Sequence, residues 1–435
     1  MTQKRITQAI TLAKSLGATA AEASVSVSKG FSLQVRMGEI ETLEYHHDKH
    51  LNVTVYHNHS QGSISTTDLR PEAIEEGVAK ALQIAKLTEA DPLAGLPDKE
   101  LLASDYPDLD LSHPWDITPE TATELALECE TRARKADKRI SNSEGVSFST
   151  QKTDYVYGNS LGFIGSFPNT SHQLSCALVA SGKGDMQRDS SYTVARDPSD
   201  LWTINRLADE AVAHTLQRLN PRSLSTQQAP IIFSKEVASG LLGHFIAAIR
   251  GGALYRKASF LTDQLGAKIF PDWINISENP HLLKGLGSAP FDSDGVKTVA
   301  KNFIEQGRLV NYALGTYSAR KLNMKNTGNS GGVHNLTISS NAEDLNALIK
   351  QMDKGLVVTE LMGQGINIIT GDYSRGASGF WVENGVIQHP VHQITIAGNL
   401  RDIFTRILAV GNDIDTRGNI HSGSILIEQM MIAGQ

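Results

Sequence analysis

Two parts of the chain repeat the same succession of hydrophobic periods, and this repetition most constrains the fold. In the first part, apolar residues at helical spacing from Ile6 to Leu16 precede alternating, strand-like runs over 21–69 and a helical segment that opens at Pro71. In the second part, the helical segment PETATELALECETRARKAD leads into strand-like runs over 140–194 and then into the helical segment SDLWTINRLADEAVAHTLQRL. We therefore predict two successive helix–strands–helix units, an order that suggests an internal duplication.

The rest of the chain, from Pro230 onward, is dominated by short strand-like runs such as GLVVTELM and SGSILIEQMMIAG. In GFWVENGVI an Asn-Gly pair separates two such runs, which is the strongest short hairpin signal. The segment between the two units is rich in proline and aspartate and has no steady period, so we interpret it as a linker. The predicted fold class is α+β, with α+β units at 1–90 and 119–220, a linker at 91–118, and a large, mostly antiparallel β domain at 230–435 that carries a few helices.

Composition excludes several classes of protein. The formal net charge of −7 argues against a large nucleic-acid-binding surface. The two cysteines are far apart in the chain, which fits a reducing compartment and not a disulfide-stabilised secreted protein. No run approaches the roughly 18 apolar residues of a membrane span, and the first segment has no signal-peptide core. We expect a cytoplasmic protein that binds neither nucleic acid directly nor membranes.

A histidine-rich segment, YHHDKHLNVTVYHNHS, is the first candidate site. It contains five of the chain's 14 histidines, at positions 46, 47, 50, 57 and 59. On a strand His57 and His59 would point to the same face, a geometry that can hold zinc. The alternative, which we favour, is a hairpin with solvated polar tips, in which His46 to His50 forms one turn region and 57–59 the other end.

Other polar motifs give little support for catalysis. His389 and His392 lie on either side of Pro390, so they cannot be a helical ligand pair, and we predict a strand edge there. The segment PFDSDGV at 290–296 lacks the further acidic ligands of a calcium loop, and we interpret it as a surface turn. There is no G-x-S-x-G motif, and none of the 14 histidines is followed by glutamate.

Five blocks between about 238 and 400 resemble the TldD/PmbA family, and within it the PmbA (TldE) branch. They are ASGLLGHFIAAIRGGALYRKASFLTDQLG, PHLLKGLGSAPFDSDGV, YSARKLNMKNTGNSGG, TGDYSRGASGFWVENGVIQHPV and TIAGNL. The resemblance implies a two-subunit cytoplasmic metallopeptidase that acts on unfolded peptides, with roles in leader-peptide processing and antitoxin degradation. It also implies that the TldD-type subunit carries H-E-x-x-x-H on the helix that matches 241–249, and a further cysteine ligand near its C-terminus.

The metal-binding positions of that helix are replaced in this chain. Gly243 and Ala248 stand where the TldD branch has histidines, His244 stands where it has glutamate, and NIHSGS at 419–424 contains no cysteine. Glycine and alanine offer no donor atom, and a catalytic zinc usually needs three protein ligands. The resemblance therefore implies a family of hydrolases in which this chain is a subunit without metal or catalytic residues, with zinc in the TldD-type partner.

Three functions remain open at this point. The favoured one is a non-catalytic subunit that pairs with a TldD-type catalytic subunit and completes its cleft around a peptide substrate, with a homodimer as the assembly formed alone. The second is a stand-alone metallopeptidase whose metal site is assembled from His244, His281 and His334. The third is a regulatory binding module, as the family's older name, modulator of DNA gyrase, suggests. The residues expected to face the cleft or the partner are His244, Tyr255, Arg256, Lys257, Tyr317, Arg320 and Lys321.

Overall fold

A computed structural model describes residues 2–434 of the chain. The elements of the first half are α1 (Thr2–Ser15), β1 (Ala20–Arg36), β2 (Glu39–His57), β3 (Ser60–Thr66), α2 (Pro71–Leu87), α3 (Pro119–Ala136), β4 (Ile140–Asn159), β5 (Ile164–Ser181), β6 (Met186–Ala195) and α4 (Ile204–Gln217). Two single 3-10 turns, Lys99–Leu101 and Pro198–Asp200, lie between them. The predicted order of helix, strands and helix therefore occurs twice.

The six strands of this half form one antiparallel sheet in the order β3-β2-β1-β4-β5-β6. The two units meet where β1 pairs with β4, from Glu22 opposite Asn159 to Val35 opposite Val146. Each unit contributes three consecutive strands, so the sheet has the same succession of strands on either side of this junction. How the chain divides into independent folding units stays a prediction.

Two separate cores cover one face of this sheet. The period-2 alternation of β1 buries Val25 against α1 and α2, and Leu33 against α3 and α4. Pro71 occupies the first position of α2, and the Thr118 hydroxyl accepts a hydrogen bond from the Thr121 N–H at the start of α3. The buried Glu130 carboxylate of α3 accepts hydrogen bonds from the backbone of Met37 and Gly38, which fixes the turn between β1 and β2.

The second half of the chain forms the larger domain. Its elements are β7 (Gln227–Phe233), α5 (Lys235–Ile249), α6 (Gly251–Tyr255), β8 (Ile276–Glu278), β9 (Lys301–Glu305), β10 (Arg308–Leu309), α7 (Thr316–Leu322), β11 (Leu336–Ile338), α8 (Leu345–Met352), β12 (Gly355–Ile366), β13 (Asp372–Glu383), β14 (Val386–Asn399), α9 (Leu400–Thr405), β15 (Ile407–Val410), β16 (Ile420–His421) and β17 (Ile425–Ala433). The strands form a six-stranded sheet, β14-β13-β12-β7-β17-β15, and a five-stranded sheet, β10-β9-β8-β11-β16. Apart from the β7–β12 and β11–β16 pairs, neighbouring strands are antiparallel, so the predicted α+β class is confirmed.

The predicted Asn-Gly hairpin is also confirmed. Asn384 and Gly385 join β13 to β14 with φ angles of 53° and 67°, the positive values that a type I′ turn requires. His389 and His392 lie in β14, as predicted. Across residues 2–434, the helices are too short or too polar to serve as membrane spans.

The turn predicted at 290–296 is present, but its prediction as a surface turn is wrong for most of its residues. Phe291 and Asp292 are only 2% and 3% exposed. The Phe291 ring packs among Tyr106, Phe163 and Phe167 of the first half, with centroid separations of 5.3 to 5.4 Å. Most of this polar turn is buried because it carries an aromatic side chain into the sheet of the other half of the molecule. Local sequence does not encode such a long-range contact.

The position predicted for one histidine turn is wrong as well. His46 to His50 lies in the middle of β2, where it pairs in register with β1, and the turn between these strands is at Met37 and Gly38. The other predicted end is confirmed, since Asn58 and His59 adopt positive φ angles of 50° and 68° between β2 and β3. The first error arises because this part of β2 is exposed and polar, which resembles a loop in sequence.

Candidate functional site

Helix α5 forms the centre of the candidate site. Its apolar residues, among them Leu241, Phe245 and Ile249, are buried in the core of the larger domain, which explains its stability despite two internal glycines. The helix ends at Ile249, and Arg250 is extended, with φ −69° and ψ 135°. The next residue is a glycine, Gly251, because a Cβ atom at this position would lie only 2.2 Å from Ser318 Oγ of α7. The helix thus ends one residue beyond Ala248.

The replaced metal-binding positions face the segment in which the resemblance places the missing cysteine. A Cβ added to Gly243 would lie 3.9 Å from Ile420 Cδ1, so NIHSGS at 419–424 runs against the helix. Ala248 is fully buried in the core. The helix and the C-terminal segment therefore lie against each other, while the side chains of Gly243 and Ala248 carry no ligand atoms.

His244 lies beside two residues of β13 that the sequence analysis did not single out. Its ring centroid is 5.9 Å from that of Tyr373, and its Nε2 atom is buried without a hydrogen-bond partner. Burial, and secondarily the positive charge of Arg375, lowers the pKa of His244 below its usual value. The Nε atom of Arg375 is likewise buried and unpartnered. The sequence feature that could have pointed to Arg375 is its position as the one basic residue in the segment TGDYSRGASGFW.

This donor set does not fit a catalytic zinc. Gly243 and Ala248 have no donor atoms, and His244 supplies one imidazole beside the guanidinium of Arg375, whose charge opposes that of a divalent cation. Within residues 2–434 no three His, Cys, Asp or Glu side chains are grouped so that they could hold a metal ion.

The alternative three-histidine site is not formed. His281 shares a hydrogen bond with the Thr298 hydroxyl at 3.1 Å, and His334 contacts the Gly287 carbonyl oxygen at 3.1 Å. Burial lowers the pKa of both imidazoles. Both histidines contact their own neighbours, and neither belongs to a three-ligand group with His244.

The histidines of β2 likewise have separate partners. His46 Nε2 is 2.9 Å from Ser32 Oγ, and His50 Nε2 is 3.2 Å from Ser65 Oγ. His57 Nδ1 is 3.2 Å from the carbonyl oxygen of Gly17. The structure thus gives these side chains polar neighbours along the sheet.

Three of the predicted cleft residues lie at the end of α6 and just beyond it. The ring of Tyr255 packs edge-on against Tyr317, with centroids 5.6 Å apart. The Arg256 guanidinium donates to the Tyr255 hydroxyl at 3.3 Å and lies 5.3 Å from its ring. Arg256 and Lys257 are exposed, so their charged groups are available to a ligand.

The other three predicted cleft residues bind the linker of the same chain. The Tyr317 hydroxyl donates to Asp91 Oδ2 at 2.6 Å, and Lys321 Nζ lies 3.1 Å from the same carboxylate. The hydrogen bond from Tyr317 is the main reason that the pKa of Asp91 falls to about 2. The Arg320 guanidinium donates to the carbonyl oxygens of Leu93, Gly95 and Leu96. The structure thus brings α7 and the linker together and engages these three side chains internally.

Three family models match successive parts of the chain. They describe PmbA/TldA metallopeptidase domain 1, the central domain and the C-terminal domain, and they match residues 21–85, 112–219 and 226–434 respectively.

Curated relatives match over most of their length. The chain is 53% identical to metalloprotease PmbA of Escherichia coli O157:H7, over 95% of this chain and 92% of that protein. It is 41% identical to a metalloprotease PmbA homolog of Buchnera aphidicola subsp. Acyrthosiphon pisum, with coverage of 97% and 95%. A metalloprotease TldD homolog of the same organism is 22% identical, with coverage of 85% and 80%.

Solved structures share the fold across the whole chain. One from Bacteroides thetaiotaomicron, titled as a candidate modulator of DNA gyrase, has a TM-score of 0.94 at 26% identity and covers 100% of this chain and 99% of its own. TldE from Thermococcus kodakarensis has a TM-score of 0.85 at 20% identity, with coverage of 99% and 100%.

Proposed function

We infer that this chain, which belongs to the PmbA/TldD metallopeptidase family, works as the non-catalytic subunit of a two-chain peptidase. The resemblance predicted from sequence is confirmed, and the 53% identity to a PmbA protein, against 22% to a TldD homolog, supports the PmbA branch. In the proposed complex a TldD-type partner holds the zinc, and this chain completes the partner's cleft around an unfolded peptide.

The chemistry of α5 is the observation that carries this proposal. The helix and the 419–424 segment converge, but Gly243 and Ala248 offer no ligand, and Arg375 places a positive charge near His244. A peptidase site without three metal ligands and without a carboxylate base cannot activate water in the manner of a zinc peptidase. The occurrence of a PmbA homolog and a TldD homolog in one Buchnera strain is consistent with a paired function.

The environment of His244 and Arg375 supports a binding role for these two side chains. The Arg375 guanidinium and the His244 imidazole each have a buried nitrogen without a partner. Such groups gain most from an acceptor or donor that a ligand supplies, because leaving them unpaired costs about 1–3 kcal/mol each. We therefore assign Arg375 and His244 to contacts with the peptide or the partner, together with the exposed Arg256 and Lys257.

The proposed substrates are unfolded peptides, in leader-peptide processing and antitoxin degradation, and the proposed compartment is the cytoplasm. Both follow from family membership. The free thiols of Cys129 and Cys176 agree with a reducing compartment.

Pairing with a TldD-type chain is the decisive test. The two chains are co-expressed with a tag on one of them, and hydrolysis of an unfolded peptide is measured for each subunit alone and for the mixture. We expect co-purification, with peptide hydrolysis and stoichiometric zinc only in preparations that contain the TldD-type chain. Full activity of this chain alone would refute the assignment.

A substitution tests the role of Arg375 within that complex. Arg375→Gln should raise KM for the peptide with a smaller change in kcat, because it removes binding without touching the metal. Arg406→Gln, which changes an exposed arginine, is the matched control. Unchanged kinetics in a complex that assembles normally would remove Arg375 from the cleft.

A further inference from the structure

A cavity remote from α5 lies against the six-stranded sheet of the first half. Its volume is about 620 Å³, and it opens where β1, β2 and β4 meet the N-terminal ends of α1 and α2. Its lining consists of Thr2, Arg5, Val27, Lys29, His47, Lys49, Thr67, Asp68, Leu69, Arg70, Lys152 and Asp154.

The lining is strongly basic in a protein whose net charge is −7. Five cationic side chains face two carboxylates, and Arg70 already binds Asp68 through a 2.6 Å contact. In the part of the chain that the structure describes, none of the other four cationic side chains lies within 4.0 Å of a carboxylate. These four are Arg5, Lys29, Lys49 and Lys152. The lining of the cavity therefore has more cationic side chains than carboxylates, and four of the cations have no ion-pair partner among residues 2–434.

The strand register forces two of these charges together. Lys29 of β1 stands directly opposite Lys152 of β4, at the middle of the paired segment, and opposite His47 of β2 on its other side. Residues opposite one another on antiparallel strands have Cβ atoms only about 4.5–5.5 Å apart, and like charges in such pairs are destabilising. Three basic side chains thus form one row across three strands, an arrangement that an anion would stabilise.

We propose that this cavity binds a compact multivalent anion that carries phosphate groups. Several lysines around one cavity supply the dispersed positive charge that an oligophosphate needs, and the N-termini of α1 and α2 add the positive ends of two helix dipoles. The volume accommodates an oligophosphate with part of its hydration shell.

The site is separate from the proposed peptide cleft. Successive residues of a strand point to opposite faces, so Asp154 in the cavity and Tyr155 belong to different faces of the sheet. Tyr155 packs toward Phe291, with ring centroids 6.5 Å apart, on the face that contacts the larger domain. The anion would therefore bind on the far side of the sheet from α5, as a ligand distinct from the peptide.

Calorimetric titration of the full chain with inorganic triphosphate tests the proposal. We expect saturable binding that weakens between about 50 mM and about 200 mM salt, because the interaction is electrostatic. Lys29→Gln combined with Lys152→Gln should lower the affinity at least about tenfold, which corresponds to about 1.4 kcal/mol. The control is the same pair of substitutions at the exposed Lys138 and Lys183.

Two further measurements make the outcome decisive. Without ligand and at low salt, the Lys29/Lys152 double variant should unfold at a temperature no lower than the wild type, because a like-charge pair has been removed. Titration with ATP separates the sources of the phosphate, since tighter binding than triphosphate indicates a nucleotide and equal binding indicates an oligophosphate group alone. Absence of binding by both probes, or equal affinity in the double variant, would overturn the proposal.

Discussion

Two polar regions of the larger domain differ in how completely their hydrogen bonds are satisfied. In the 290–296 turn, Asp292 accepts hydrogen bonds from the N–H groups of Asp294, Val296 and Ser330. Around α5, by contrast, His244 Nε2 and Arg375 Nε are buried without partners. Unpaired buried groups destabilise a fold, so they persist where binding needs them. The turn therefore pairs its polar groups within the fold, whereas the α5 region leaves two buried nitrogen atoms for the ligand contacts proposed above.

The largest effect should come from the turn. Phe291→Ala removes the ring at the centre of the aromatic cluster and should lower the free energy of unfolding by about 3–5 kcal/mol, measured by urea denaturation. Tyr45→Ala, at a ring that is 72% exposed, should cost less than about 1 kcal/mol. Similar losses in the two variants would mean that the turn does not hold the halves together.

The same turn should give a distinct pH dependence. Burial, and then the charge of Asp294, raises the pKa of Asp292 to about 7 from the usual 3.8. Between pH 3.8 and about pH 7, Asp292 is protonated in the folded state and ionised in the unfolded state. The free energy of unfolding therefore falls as pH rises, by roughly 2–4 kcal/mol across this range.

Asp292→Asn removes this titratable group, so a comparison with the wild type separates its contribution to stability from that of the other groups. Buried histidines with lowered pKa act in the opposite direction, since they lose stability as pH falls below about 6.5. The difference between variant and wild type, from urea denaturation at a series of pH values, should therefore shift in favour of the variant as pH rises. A pH-independent difference would contradict the raised pKa.

A smaller effect is expected where α7 holds the linker. Tyr317→Phe removes the 2.6 Å hydrogen bond to Asp91 and should accelerate proteolytic cleavage within 91–98 several-fold, because local opening becomes more frequent. Because the pKa of Asp91 is lowered to about 2, the wild-type contact should persist above about pH 4 and weaken as pH falls toward 2. Tyr45→Phe is the control, and equal cleavage rates in the two variants would exclude a role for the hydrogen bond between Tyr317 and Asp91.

The sequence predicted those features that depend on local periodicity. The alternation of β1, the start of α2 at Pro71 and the Asn-Gly hairpin each need only neighbouring residues, and all are present. The resemblance to the family identified the replaced positions of α5, and glycine and alanine lack donor atoms whatever the fold.

Features that depend on tertiary contacts were missed. The burial of Phe291, the environment of Arg375 and the engagement of Arg320 by the linker each join segments remote in sequence. Polar residues in such contacts look the same in sequence as solvated ones, since hydrogen bonding and not composition decides whether burial is tolerated. The sequence therefore indicated neither the contact of Arg320 with Leu96 nor the position of Arg375 beside His244.

The smallest effect is expected at His244 and Arg375, whose buried nitrogen atoms have no hydrogen-bond partner within the described part of the chain. Arg375→Gln removes the positive charge near His244, so the pKa of the imidazole should rise but stay below its usual value, because burial is the larger cause of its lowering. An NMR titration of the His244 ring resonances measures this shift, with Arg406→Gln as control. An unchanged pKa would mean that the two groups do not interact. Addition of the TldD-type chain to the wild type should also change the pKa of His244. A partner that forms a hydrogen bond with His244 Nε2 or Arg375 Nε would supply the contact that these buried atoms lack, in contrast to those of the 290–296 turn.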